Sequence, residues 1–188
     1  MLAEVFVRLR TRFPDLFLVV VPRHFERGKE AGRDLDTKGV KYIYRNQINS
    51  NIERKPGEVE CLLVNTTGEL RLFYEHATVI FVGKSFIQPG GGQNPIEPGS
   101  MGKAMVFGPN MQNFSSIVSA FVAKEGAVQV RDKTELEAAL AELLNNQSRR
   151  EALGRNALKV VEGNQGAIER TVEMIVEHLR DEEMFIRK

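Results

Sequence analysis

Three consecutive glycines, Gly90 to Gly92, followed by Asn94 and Glu97, form the stretch with the clearest capacity for chemistry. Pro95 suits the first turn of a helix, so the glycines should connect a strand to a helix. Such connections expose backbone N–H groups beside the positive end of a helix dipole, which predicts an anion site, most naturally for phosphate. Glu97, about one turn inside the helix, could then accept hydrogen bonds from ribose hydroxyls. A flexible connection with an acidic helix start remains the alternative.

A second polar group follows the apolar run VVVP. Arg23 comes directly after Pro22, so its guanidinium should lie at the carboxyl end of a strand, where it could pair with phosphate or stack on a base. A ligand role for His24 stays open against that of a half-exposed residue at a helix start. Glu26 and Arg27 fit a solvated helix face.

A third group, residues 65–70, again has the form of a strand end, a turn and a helix start. Thr67 could cap that helix, and Gly68 would leave the backbone accessible. A simple helix cap without a ligand is the alternative. His76 and His178 have no Cys or His partner at ligand spacing, so we expect no metal site.

Short apolar runs alternate with segments of helical spacing, which is typical of successive βαβ units. Because the runs are apolar almost throughout, both faces of each strand should be covered. The sequence therefore predicts an α/β fold with a doubly wound parallel sheet of about six strands. The strand runs are 17–22, 40–44, 60–65, 78–83, 103–109 and 127–130.

After Asp132 the pattern predicts only helices, at 132–146, about 148–162 and 165–186, with a stop at Gly163 and Asn164. The polar stretch 46–58 should be an exposed loop. These helices would complete one domain over residues 1–188.

Composition limits the functions that remain. The chain has 188 residues, 42% of them hydrophobic, and a formal net charge of +1, which gives no electrostatic footprint for nucleic acid. The single cysteine, Cys61, lies in the apolar run CLLV and should be a small buried hydrophobe, which suits a reducing cytoplasm. The apolar runs are far shorter than the roughly 20 residues of a membrane span.

Five segments, in order, resemble motifs of the 3-deoxy-D-manno-octulosonic acid (Kdo) transferases, glycosyltransferases of the two-domain GT-B type. The family carries PRHxER, T-x-GEL, V-G-x-S, GGHNPLEP and G-K-P-V-x-x-G-P-x-x-x-N-F. This chain has PRHFER (22–27), TTGEL (66–70), FVGKSF (81–86), GGQNPIEP (91–98) and GKAMVFGPNMQNF (102–114). The resemblance runs over nearly the whole chain and points to the carboxy-terminal half of these enzymes, a Rossmann-like domain with C-terminal helices.

The resemblance implies a donor, cytidine monophosphate-activated Kdo (CMP-Kdo), and no cofactor. Arg23 would contact the nucleotide, Gly68 and Glu69 would line the phosphate or base side, Asn94 and the glycine amides would hold phosphate, and Glu97 would bind ribose. The full donor-binding set is Arg23, His24, Gly68, Glu69, Ser85, Gly91, Gly92, Gln93, Asn94 and Glu97. Gln93 stands where the family has His, Gly90 where a basic residue often precedes the glycines, and Ala104 where the family has Pro.

The resemblance also implies an amino-terminal domain that supplies the general base and binds a lipid A precursor. We expect residues 1–188 to lack that domain and therefore to bind the donor without turnover. Membrane association would come only through the full-length enzyme, at the cytoplasmic face of the inner membrane. A CMP- or UDP-binding module, or a GT-B domain for another sugar, is the alternative.

Overall fold

Strands and helices alternate along the chain in the computed structural model, which describes residues 1–48, 55 and 57–164. The elements are α1 (Leu2–Arg10), β1 (Leu18–Val20), α2 (Gly28–Asp36), β2 (Tyr42–Tyr44), β3 (Cys61–Leu63), α3 (Leu70–His76), β4 (Ile80–Val82), α4 (Ile96–Ser100), β5 (Met105–Phe107), α5 (Ser115–Ala123), β6 (Val128–Gln129), α6 (Lys133–Asn145) and α7 (Gln147–Gly163). Each strand falls inside a predicted run, so the predicted α/β class is confirmed.

The strands form two parallel three-stranded sheets, in the orders β1-β3-β2 and β4-β5-β6. In the first sheet Val19 is in register with Leu62, and Leu62 with Ile43. The sequence predicted one sheet of about six strands, and the structure divides the strands equally between two. Helix α1 packs against both sheets. Its Val5 and Leu9 belong to the hydrophobic cluster that includes β5, and its Phe6 belongs to the cluster that includes β3.

Both faces of the central strands are covered, as their apolar composition predicts. Successive side chains of a strand point to opposite faces. Met105 and Phe107 accordingly pack with residues of α5 and α7, whereas Val106 packs with α1 and α6. Two ion pairs, Lys133 to Glu4 at 2.8 Å and Arg8 to Glu137 at 3.2 Å, border the contact between α1 and α6.

Side-chain caps mark the starts of the last two described helices. Asp132 accepts a hydrogen bond from the Glu135 amide at 2.9 Å, and Asn146 accepts one from the Arg149 amide at 2.9 Å. Helix α7 ends at Gly163 with Asn164 as its cap, as predicted. The predicted helix 165–186, and residues 49–54 and 56 of the predicted loop, lie outside the described residues.

Cys61 is fully buried in β3, which confirms its predicted role as a core residue. Burial raises the pKa of its thiol to about 12, partly offset by a hydrogen bond with the backbone of Val20. The thiol therefore stays protonated near neutral pH. None of the described helices is long and apolar enough to cross a membrane.

Candidate functional site

The predicted site residues follow the carboxyl ends of strands. Parallel strands bring these ends to one edge of a sheet, where open α/β folds bind their ligands. Segments 22–27, 45–47 and 65–69 follow the strands of the first sheet, and segments 83–95 and 108–114 follow β4 and β5 of the second. The described hydrogen bonds join residues within each group and do not join the two groups to each other.

The glycine loop is buried and takes a backbone conformation that favours glycine. Gly91 has φ of 83° and Gly92 has φ of 70°. A Cβ on Gly92 would lie 2.1 Å from the Met111 sulfur, and one on Gly91 would lie 2.5 Å from Cγ of Asn113. Both glycines therefore pack closely against side chains of segment 108–114, an arrangement beyond the ligand access that the sequence suggests.

Ser85 holds the base of this loop. Its hydroxyl donates to the Val82 carbonyl at 2.7 Å and accepts from the Gly108 amide at 2.8 Å, and the residue is fully buried. The prediction that Ser85 belongs to the ligand-contacting set does not match this burial, because the hydroxyl is committed to joining the ends of β4 and β5. The backbone N–H of Gln93 likewise donates to the Gly83 carbonyl, at 3.0 Å.

Asn110 is a buried polar residue that the sequence prediction omitted. Its backbone N–H donates to the Ser85 carbonyl at 2.9 Å. Its side-chain Oδ1 accepts from Nε2 of Gln88, also at 2.9 Å. These bonds attach the loop after β5 to the loop after β4. The available signal was its position just after a buried strand, in the run GPN.

Asn94 prepares the start of α4. Its Oδ1 accepts a hydrogen bond from the Ile96 amide at 2.9 Å, so the Nδ2 group is the part of this side chain left to donate. Pro95 is the residue before the helix rather than part of its first turn, and Glu97 is exposed. Because α4 has only five residues, its dipole is small, and local N–H donors must provide most of any anion binding.

Glu69, not Thr67, is the N-cap residue of α3, so the expectation that Thr67 caps this helix is wrong. Instead the Glu69 carboxylate accepts a hydrogen bond from the Thr66 hydroxyl and a two-pronged contact from Arg45, with Nη2 at 2.7 Å and Nε at 3.1 Å. The Thr66 hydrogen bond, followed by the hydrogen bond and charge of Arg45, lowers the pKa of Glu69. Glu69 is therefore ionised at neutral pH.

The remaining predicted residues of the first sheet are open to solvent. Arg23 and His24 are exposed and lie just before a short 3-10 helix. Arg27 pairs with Glu30 at 2.9 Å on an exposed face, as predicted. Gly68 has φ of 85°, and a Cβ there would meet nothing within 4 Å, so its backbone is accessible.

Tyr74, a partly buried residue of α3, lies near Glu97 of α4. Burial, and to a smaller degree the nearby Glu97 charge, raise the pKa of Tyr74 to about 12. Tyr74 also packs against the cluster around Phe107. It therefore supports the helix that carries Glu97 as a neutral phenol.

Two other surface depressions are present in the described part of the chain, and the first reaches segment 45–47 through Gln47. One depression is lined by residues including Tyr42 and Lys41, and another by residues including Phe17 and Ile43, and neither includes a predicted site residue. Within the described ranges, no three His, Cys, Asp or Glu residues are grouped as metal ligands would be.

This arrangement defines a class of protein: a Rossmann-like α/β domain of the type found as one half of GT-B glycosyltransferases. No protein-family model matches the sequence. Two curated relatives are 3-deoxy-D-manno-octulosonic acid transferases, from Haemophilus influenzae (31% identical over 172 residues, 91% of this chain) and Bordetella pertussis (32% identical over 172 residues, 90% of this chain). The chain spans 39% of the length of each.

A solved structure agrees with these relatives. The crystal structure of the C-terminal CMP-Kdo binding domain of WaaA from Acinetobacter baumannii matches with a TM-score of 0.76 and 28% identity, covering 84% of this chain and 80% of that one. The chain belongs to the 3-deoxy-D-manno-octulosonic acid transferase family and corresponds to this C-terminal domain.

Proposed function

We propose that these residues form the donor-binding domain of a Kdo transferase and bind CMP-Kdo at the carboxyl edge of the sheets. The observation that carries the proposal is the glycine loop, whose left-handed Gly91 and Gly92 are packed against segment 108–114 and lead directly to Asn94 and α4. The relationship to Kdo transferases, and the likeness to a domain whose title names CMP-Kdo, support this choice of ligand.

In this proposal the phosphate is bound by backbone amides of the glycine loop and by Nδ2 of Asn94. The backbone N–H of Gln93 does not bind the phosphate, because it already donates a hydrogen bond to the Gly83 carbonyl. Ser85 positions the loop instead of contacting the donor. The Gln93 side chain borders the site.

The exposed residues of the site take the remaining parts of the nucleotide. Glu97, on the exposed face of α4, binds the ribose hydroxyls. Arg23 and His24, exposed after β1, contact the nucleotide from the first sheet, and Arg23 adds positive charge for the phosphate. The Gly68 backbone lines the same edge.

The wider activity is also a proposal. The activated donor carries its own leaving group, so the transfer needs no cofactor. We assign the general base and the lipid A precursor site to parts of the enzyme other than residues 1–188, and we place the reaction at the cytoplasmic face of the inner membrane. The carboxylates placed at the edge support this division, because Glu69 is paired with Arg45, Glu97 is assigned to the donor and Glu26 lies on an exposed face beside Arg27.

Glu97→Ala should weaken CMP binding by about 1–3 kcal/mol, the range for losing a hydrogen bond to a charged group. Glu97 is exposed, so the substitution should leave the fold intact. Isothermal titration calorimetry with CMP measures the effect. Glu137→Ala is the control. Glu137 is a carboxylate of α6 that pairs with Arg8 of α1, away from the proposed site, so its loss should not change the CMP affinity. Equal CMP affinity in the two variants would remove Glu97 from the ribose site.

A further inference from the structure

Arg45 lies at the same sheet edge as the proposed site but outside the set that the motifs indicate. It follows β2 directly, and its guanidinium reaches across to Glu69, which follows β3. The side chains are 35% and 23% exposed, so the pair is partly shielded but open to a ligand. Both N–H groups donate to the same oxygen, Oε1, which makes the contact charge-assisted and leaves Oε2 to other donors.

The Glu69 carboxylate is held from both sides. Arg45 donates to Oε1 and the Thr66 hydroxyl donates to Oε2. The Asn46 amide also donates to Oδ1 of Asn65 at 3.1 Å, which ties the loops after β2 and β3 together. The carboxylate therefore has a fixed position at the edge, and as an ionised group it can only accept further hydrogen bonds.

This chemistry decides which part of a nucleotide Glu69 can face. A phosphate next to this carboxylate would meet a like charge, which disfavours the phosphate side for Glu69. A base that presents an N–H donor would be favoured. Cytosine has an amino group at its 4-position, which a carboxylate accepts well, whereas uracil has a carbonyl oxygen there.

We propose that Arg45 is a positioning residue that holds Glu69 as an acceptor for the cytosine amino group, so that the pair selects cytidine over uridine nucleotides. The inference rests on the proposed nucleotide site and assigns its base specificity. Arg45 acts through Glu69 and need not touch the nucleotide.

The test compares CMP and UMP affinities, by calorimetry, in the wild-type chain, Arg45→Met, Glu69→Gln and the double variant. Wild type should prefer CMP, and Arg45→Met should reduce the CMP-to-UMP affinity ratio by about tenfold, the size of one lost base contact. Because Arg45 acts through Glu69, adding Arg45→Met to Glu69→Gln should change the ratio no further. Arg71→Met is the control, since Arg71 forms a looser and more exposed ion pair with Glu75 on α3, at 3.6 Å.

Circular dichroism and thermal melts establish that each variant is folded. If Arg45→Met does not fold, Arg45→Lys keeps the charge and loses the two-pronged contact, and it should lower the ratio to a smaller extent. An unchanged CMP-to-UMP affinity ratio in a folded Arg45 variant overturns the inference. So does an equal effect of Arg45→Met on that ratio in the wild-type chain and in the Glu69→Gln variant. A wild-type chain that binds neither nucleotide refutes the proposed function itself, which distinguishes the two failures.

Discussion

Gly92→Ala is expected to weaken CMP binding by about tenfold or more, because a Cβ there would strain the backbone and collide with the buried Met111 side chain. Its φ of 70° is costly for other residues, by roughly 1–2 kcal/mol. The new methyl group would also lie 2.1 Å from the Met111 sulfur and 3.4 Å from the Asn110 carbonyl oxygen. Met111 is buried, so either its side chain or the loop must shift to relieve this contact, and a shift of the loop moves the amides that hold the phosphate. Calorimetry with CMP measures the affinity, and a thermal melt records the change in stability.

Gly39→Ala separates the backbone strain of a positive φ from the contact between the new Cβ and Met111. Gly39 has φ of 68°, close to that of Gly92, but a Cβ there would meet nothing within 4 Å. The control variant should therefore show backbone strain alone, as a small loss of stability with normal CMP affinity. Gly92→Ala with wild-type CMP affinity would show that the loop conformation does not matter for the nucleotide.

Gly154→Ala should cause the largest loss of stability, about 2–4 kcal/mol in the free energy of unfolding, because it overpacks a contact between two backbones. A Cβ at Gly154 would lie 1.9 Å from the carbonyl oxygen of Gly102. Backbone cannot rotate away as a side chain can, so α7 must move off the turn after α4. Its neighbours Leu153 and Ala157 belong to two different hydrophobic clusters, and both would lose packing.

Denaturant unfolding measures this loss, and Gly163→Ala is the control on the same helix. A Cβ at Gly163 would meet nothing within 4 Å. That variant should be as stable as wild type or slightly more stable, because alanine favours helix by up to about 1 kcal/mol. Equal stabilities for the two variants would contradict the close approach of α7 to Gly102.

The fold could be predicted from sequence because its signals are local. The run VKYIY, for example, contains β2, and Gly163 with Asn164 ends α7 where the pattern predicts. The division into two sheets was not predictable in this way, because strand pairing depends on contacts distant in the sequence.

The site was predictable only in part, for the same reason. The glycine loop and Asn94 are visible as a pattern, but Glu69 and Arg45 are 24 positions apart, and nothing in either segment shows that they pair. Ser85 matched a motif letter, yet it is buried, and its hydroxyl accepts a hydrogen bond from Gly108, 23 positions away in the sequence. The position of Arg45 could have been noticed from the sequence, because it directly follows the apolar run VKYIY. Arg23 has a similar position, one proline after the run VVV.

The proposed donor site can be tested most directly by nuclear magnetic resonance on the ¹⁵N-labelled chain during titration with CMP. We expect weak, saturable binding in the millimolar range or tighter, with the largest amide shifts at Gly91, Gly92, Asn94 and Glu97, and weaker responses to UMP and UDP. No response to millimolar CMP, or shifts centred on the depression beside Tyr42 and Lys41, would contradict the proposed donor site.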